Sequence, residues 1–275
     1  MISRNMVEFE LRGGLGDAFI TLHETEAYEA LDELGIDDRA TIIINSHNPF
    51  VSDIFKWHPA AKKIDLIVAK RFFPDYFDKA ERAKAGFPPT SPAPYSRRER
   101  APITFYPSPE DRRTIEEALP KGPFLVAALS ASGVDRNLPS AMIESAFAVA
   151  RRMGVPVVLL GRTYDCPFHE KDELRPSGSG VVDLIDRLSV PGTVEVVKRA
   201  KAVLSCHSCL LLASWYERKP VFTAYPRFYA ESDFWRPSPF SFGKDYPETV
   251  HMLFEEYRPH MFETFMAENF GRPTA

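Results

Sequence analysis

The turn Arg12-Gly13-Gly14-Leu15-Gly16-Asp17 stands between a strand-like run, Val7 to Leu11, and a helix-like run from Ala18 to Leu34. Glycines there let the backbone turn sharply and let a bound group come close, and Asp17 places a carboxylate at the helix start. Three further groups of polar or small residues follow strand-like runs: Ser130 to Arg136, Gly161 to Asp165 and Ser205 to Cys209. A helix starting near Ser208 offers free backbone N–H groups to a phosphate, and Arg136 adds a charge-assisted contact. Both Asp17 and Ser208 also read as plain helix N-caps.

Other residues with chemistry are the thiols and imidazoles. Cys206-His207-Ser208-Cys209 and Cys166-Pro167-Phe168-His169 form a C-x2-C pair and a C-x2-H pair, so Cys166, His169, Cys206 and Cys209 could hold zinc. Their spacing matches no zinc module, and buried cysteine is a common core residue, so no metal is expected. A thioredoxin-like role is disfavoured by the apolar Leu210-Leu211-Leu212 that follows. His23, His47 and His58 read as surface or cap residues before catalysts.

The elements that must position these groups alternate. Thr41 to Asn45 and Ile64 to Val68 read as strands separated by a helical stretch around Phe50 to Trp57, which predicts a parallel sheet covered on both faces. From about Phe72 the pattern fades, and the proline-rich stretch Gly86 to Pro94, followed by Ser96 to Arg100, reads as a long surface loop. A second series then begins: strands at Phe124–Leu129, Val155–Leu160, Val181–Leu184, Ala202–Ser205 and Val221–Tyr225, with helices over Ser140–Met153, Thr193–Ala200 and Leu210–Tyr216. The expected organisation is α/β, with two Rossmann-like lobes facing a cleft. They span residues 1–118 and 119–245, the boundary falling in a pause near residues 105 to 122. The tail 246–275, with Phe254, Tyr257, Phe262 and Phe265 at partly helical spacing, is expected to cross back and pack on the first lobe. Ligands of open parallel sheets bind beyond the carboxyl ends of the strands, where the four groups lie.

A formal charge of −4 from 34 basic and 38 acidic residues demands neither nucleic acid nor a membrane surface. No apolar run approaches the roughly 20 residues of a membrane span, the start Met1 to Asn5 has no signal-peptide core, and three cysteines make no disulfide framework. The cytoplasm is the expected compartment.

The carboxyl-terminal lobe resembles glycosyltransferase family 9, the ADP-heptose:lipopolysaccharide heptosyltransferases. Ser130 to Pro139, followed by a helix and a strand ending at Gly161, is similar to the family's small-residue loop and Lys-Arg-Trp-Pro turn. Asp183 to Ser189 is similar to its Asp-Leu-x-Gly-x-x-Ser segment, and His207-Ser208-Cys209 with Pro220-Val221 to its Asp-Ser-Gly motif and following Pro-Val. The turn at Gly14 to Asp17 falls where the family has a Ser-Leu-Gly-Asp or Gly-x-Gly-Asp turn. The chain departs at His207 for Asp, Cys209 for Gly, Leu212 for His, and Arg136 and Leu138 for Lys and Trp.

The resemblance implies a GT-B fold and inverting, metal-independent transfer from a nucleotide-sugar donor to a hydroxyl acceptor, with no cofactor. Asp17 is then the base that takes the acceptor's proton, and Arg136 neutralises the leaving diphosphate. Donor contacts fall on Gly14, Gly16, Ser130, Ser132, Arg136, Gly161, Arg162, His207 and Ser208. From the residues themselves, His47, beyond a strand end, could line the acceptor side. Arg97 and Arg98, with Arg82, Lys84 and Arg100 around the proline loop, read first as a solvated surface and otherwise as a site for an anionic acceptor such as a phosphorylated glycan or nucleic acid. Alternatives are a nucleotide-binding protein without transfer activity, a sugar-nucleotide epimerase and, more narrowly, transfer to a modified nucleic-acid base.

Overall fold

The computed structural model describes residues 6–12, 14–16, 18–19, 22, 27–45, 48–68, 104–131, 136–162, 175–227 and 249–271. They fall into two compact units, one drawn from Met1–Glu99 and one from Arg100–Arg236 with Phe240–Ala275.

The first unit carries a parallel three-stranded sheet, β1 (Met6–Arg12), β2 (Arg39–Asn45) and β3 (Ile64–Val68), in that order. Parallel neighbours need crossovers. The first passes through a helical turn after Gly14, where the Ala18 N–H bonds the Gly14 carbonyl at 3.0 Å, and then α1 (Ala27–Asp32). The second uses a 3₁₀ turn, Pro49–Ser52, capped by the Asn48 side chain, and the short α2 (Asp53–Lys56). Leu11, Phe19, Leu31, Ile42, Ile54 and Phe55 fill its core. His58, expected at the surface or as a cap, is 3% exposed: Nδ1 accepts from the Ala60 N–H at 3.0 Å, and Nε2 lies 3.3 Å from Asp32. Burial lowers its pKa in spite of that carboxylate.

The second unit opens with α3 (Pro109–Ala118), where the sequence pattern showed only a pause. Within α3 only Asp111 and Ile115 are buried, so the helix has no apolar stripe to read; what starts it is a capping box between Ser108 and Asp111. Residues 104–118, expected in the first lobe, belong to the second unit because Asp111 accepts hydrogen bonds from Ser189.

The six parallel strands that follow are β4 (Leu125–Ala128), β5 (Val157–Leu159), β6 (Val181–Asp183), β7 (Ala202–Ser205), β8 (Val221–Tyr225) and β9 (Thr249–Leu253), in the order β6-β5-β4-β7-β8-β9. Between them run α4 (Ser140–Arg152), α5 (Val190–Arg199) and α6 (Cys209–Tyr216), and α7 (Pro259–Phe270) ends the unit. Alternate strand residues face two cores. Leu125, Ala127, Leu159, Leu204 and Phe222 join the apolar faces of α4 and α7, whereas Val126, Val158, Val203 and Val221 join Ile115, Val196, Val197, Leu210 and Leu211. A sheet buried on both sides yields the uninterrupted apolar runs seen in the sequence.

Two expectations about the tail change. Thr249–Leu253, read as part of a helical stretch, is β9, pairing with β8 through Phe222↔Val250 and Ala224↔Met252. The tail helix α7 does not need the first lobe for its apolar face: Phe262, Phe265 and Met266 are buried in the second unit's own core against α4. Phe222 meets Phe262 edge-on at 5.0 Å.

Candidate functional site

In the second sheet the chain moves outward from β4 through β5 to β6, returns, and then builds β7, β8 and β9 on the other side. Strand order therefore reverses between β4 and β7, and the crevice beyond the carboxyl ends of such a pair is where open α/β sheets take ligands. Ser130 and Arg136 follow β4, and His207 and Ser208 follow β7.

The two ends are tied together by hydrogen bonds. The Cys206 N–H reaches the Ala128 carbonyl at 2.8 Å, and Arg136 Nη1 donates to the His207 carbonyl at 3.3 Å. On the β4 side, Leu138 N–H bonds the Leu129 carbonyl at 3.0 Å and the Asn137 side chain accepts from the Ala131 N–H at 2.9 Å, which joins residues 129–131 to 137–138. On the β7 side, Ser208 caps α6, its Oγ accepting from the Leu210 N–H at 3.3 Å and lying 3.4 Å from Ser205 Oγ. A guanidinium and a capped helix start of eight residues thus share the reversal point, a combination suited to an anion.

His207 is 3% exposed, and burial, aided by the Arg136 charge, pushes its pKa down to about 3. It is a neutral ring at any ordinary pH. Burial also pushes the Cys206 thiol up to about 12 and Cys209 up to about 11, with Arg136 opposing both shifts. Cys206 packs in the core under α4 and Cys209 against the opposite core, the setting of structural thiols. No group of three or more metal-ligating side chains is found among the described residues.

At the end of β5, Gly161 has φ +152°, a backbone that side-chain-bearing residues rarely adopt, and its carbonyl accepts from the Asp186 N–H at 3.1 Å. Arg162 donates through Nη2 to the Leu188 carbonyl at 2.6 Å, which ties it to the Asp183–Ser189 segment. That segment's Ser189 caps α5 and is held by Asp111, with Oγ to Oδ2 at 2.5 Å and N–H to Oδ1 at 2.8 Å.

Of the predicted site residues, Ser130, Arg136, His207 and Ser208 gather at the reversal, with Gly161 and Arg162 one strand away. Gly14 and Gly16 lie in the first unit, at the start of its first helical turn. Asp17, His47, Arg97, Arg98, Ser132, Cys166 and His169 lie outside the described residues. Sequence reading missed two pairings: Asp111 with Ser189, and Tyr225 with His251, whose hydroxyl and Nδ1 are 3.1 Å apart. The Ser108-x-x-Asp111 spacing marks a helix start but not Ser189 as a partner, and nothing in the spacing marks the second pairing.

No family model matches the chain, and no curated protein matches its sequence. Among solved structures, the E. coli heptosyltransferase WaaC with ADP is similar over 96% of this chain and 100% of its own, at 14% identity and a TM-score of 0.55. The E. coli ADP-heptose LPS heptosyltransferase II is similar over 94% and 97%, at 12% identity and 0.52. The chain has their GT-B fold. The dodecameric iron-containing glycosyltransferase TibC of enterotoxigenic E. coli aligns with 81% of the chain at 13% identity and a TM-score of 0.46, and this chain spans 58% of TibC's length. In GT-B terms the reversal between β4 and β7 belongs to the second of the fold's two Rossmann-like parts, and no helix among the described residues is long and apolar enough to cross a membrane.

Proposed function

We propose that the chain is an inverting, metal-independent glycosyltransferase of hexosyl or heptosyl type, working in the cytoplasm without a cofactor. It would move a sugar from a nucleotide-linked donor to a hydroxyl on a glycan or similar acceptor. The observation that carries this reading is the bridge from Arg136 to the His207 carbonyl across the strand reversal, on a fold shared with a heptosyltransferase seen with ADP.

The chemistry follows from the groups present. Departure of a nucleoside diphosphate leaves negative charge, which a fixed guanidinium and the amino end of α6 can meet without a divalent ion. Ser130, Ser132, Gly161, Arg162 and Ser208 would line the donor. His207, where the resembling family has a carboxylate, offers a neutral ring that does not repel the diphosphate. Asp17 would take the proton from the acceptor hydroxyl, and His47, Arg97 and Arg98 would face the acceptor. In this reading the first unit serves the acceptor and the second the donor.

Release of nucleoside diphosphate from UDP-glucose, GDP-mannose and ADP-heptose, with oligosaccharide and phosphorylated-glycan acceptors, tests the reading. Asp17→Asn keeps the shape and much of the capping ability while removing basicity, so nucleotide binding should persist and turnover fall on the order of 10² to 10⁴ fold. Equal rates would leave Asp17 a helix cap. Turnover should also survive EDTA; full loss, restored by zinc or magnesium, would overturn the metal-independent part.

A further inference from the structure

Beside the anion-suited reversal, on the far side of β7, the same sheet edge changes character. Tyr225 is the last residue of β8, and its hydroxyl shares a hydrogen bond with His251 Nδ1 on β9 at 3.1 Å. Its ring stands 6.5 Å from that of His207, at 61°, and 6.0 Å from that of His251. Strand register sets Ser205, Thr223 and His251 in one row across β7, β8 and β9, and in-register residues of parallel strands share a face. Thr223 Oγ1 is buried and meets no hydrogen-bond partner among the described residues.

The chemistry of this row differs from that around Arg136. Its groups are hydroxyls and imidazoles, and burial favours the neutral form of each titratable one: it raises the Tyr225 pKa and lowers that of His251, the latter against the pull of Glu256. Ser205 and Thr223 are closed off from solvent, which leaves the half-buried Tyr225 and His251. Neutral groups that both donate and accept, set beside aromatic faces, match a polyol with alternating hydroxyls and C–H faces better than a phosphate. In the strand order β5, with Gly161 and Arg162 beyond it, lies on one side of the β4–β7 reversal, and β8, ending at Tyr225, lies on the other.

We infer that Tyr225 and His251 are specificity-determining residues for the donor's sugar, contacting its hydroxyls beside His207, while the diphosphate rests at the reversal. The inference rests on the glycosyltransferase reading. Tyr225 supplies a hydroxyl and a ring face, and His251 orients that hydroxyl through Nδ1 and presents Nε2.

Calorimetry with two classes of probe tests this: ADP, UDP and GDP alone, and ADP-heptose, UDP-glucose and GDP-mannose. Tyr225→Phe keeps the ring and removes only the hydroxyl. It should bind the free diphosphate within twofold of wild type and the matching conjugate about tenfold more weakly, the loss of one hydrogen bond. His251→Ala should show the same split. An unchanged conjugate affinity in Tyr225→Phe, or equal weakening of diphosphate and conjugate, would overturn the assignment and leave the pair as a brace between β8 and β9. If wild type binds none of the diphosphates, the glycosyltransferase reading itself falls and this inference falls with it. If diphosphates bind but the sugar increment is the same in both variants as in wild type, only this inference falls.

Discussion

Arg136 and His207 lie 71 residues apart in sequence and meet where the strand order of the second sheet reverses, the arginine Nη1 donating to the histidine's carbonyl at 3.3 Å. The bond fixes the guanidinium beside the strand reversal. The same charge, added to burial, keeps the His207 ring neutral. In the proposed reading this fixed cation is the group that receives the donor's diphosphate.

The His207 ring makes stability depend on pH in a stated direction. Its pKa falls from 6.5 to about 3 on folding, so between those values the unfolded chain binds a proton that the folded chain refuses. Stability from this group is intact above about pH 6.5 and declines as pH drops, by up to ~1.4 kcal/mol per unit. Urea unfolding at pH 7, 6, 5 and 4.5 should show a shallower decline in His207→Gln than in wild type. Parallel profiles would contradict the burial of that ring.

Asp111 joins α3 to the start of α5. Burial acts to raise its pKa, but hydrogen bonds from Ser189 and Ser108 outweigh it and lower the net value. The carboxylate accepts from Ser189 Oγ at 2.5 Å, Ser189 N–H at 2.8 Å and Ser108 N–H at 2.9 Å. Asp111→Ala orphans these donors and should cost about 2–4 kcal/mol in urea unfolding. Gly192→Ala should cost about 1–3 kcal/mol, because its Cβ would stand 2.6 Å from the Asp111 carboxyl. A lowered pKa makes this contribution full above the unfolded Asp value and lost as pH falls through the folded one. Losses below about 0.5 kcal/mol in both variants, within the range of surface substitutions, would contradict this account.

What the sequence made legible follows from how each element is held. Strands β7 and β8 are buried on both faces, so Ala202–Ser205 and Val221–Tyr225 stood out with their bounds. Helix α3 did not, since it buries two residues and depends on Asp111, whose partner Ser189 lies 78 residues away. Strand β9 is five residues long and sits beside aromatics whose spacing follows a helix, so the longer period masked it. In the site, Arg136 and Ser208 were legible because residue type and position beyond a strand carry their meaning. Tyr225 and His251 are joined only by the register of β8 and β9.

The placement of the tail is open to a direct check. Phe262 is fully buried, edge-on to Phe222 at 5.0 Å and 5.9 Å from Phe265, within the second unit's core. Phe262→Ala should destabilise that core by about 3–5 kcal/mol. A loss under about 1 kcal/mol by denaturant unfolding would mean that the tail helix is not part of that core.

The most direct measurement is titration calorimetry of ADP, UDP, GDP and CDP with wild type and a folded Arg136→Ala variant. One of these should bind wild type, and losing one charge-assisted phosphate contact should weaken it by roughly 1.5 to 3 kcal/mol, about tenfold or more. Absence of binding by all four, or equal affinity in the two proteins, would contradict a diphosphate site between β4 and β7.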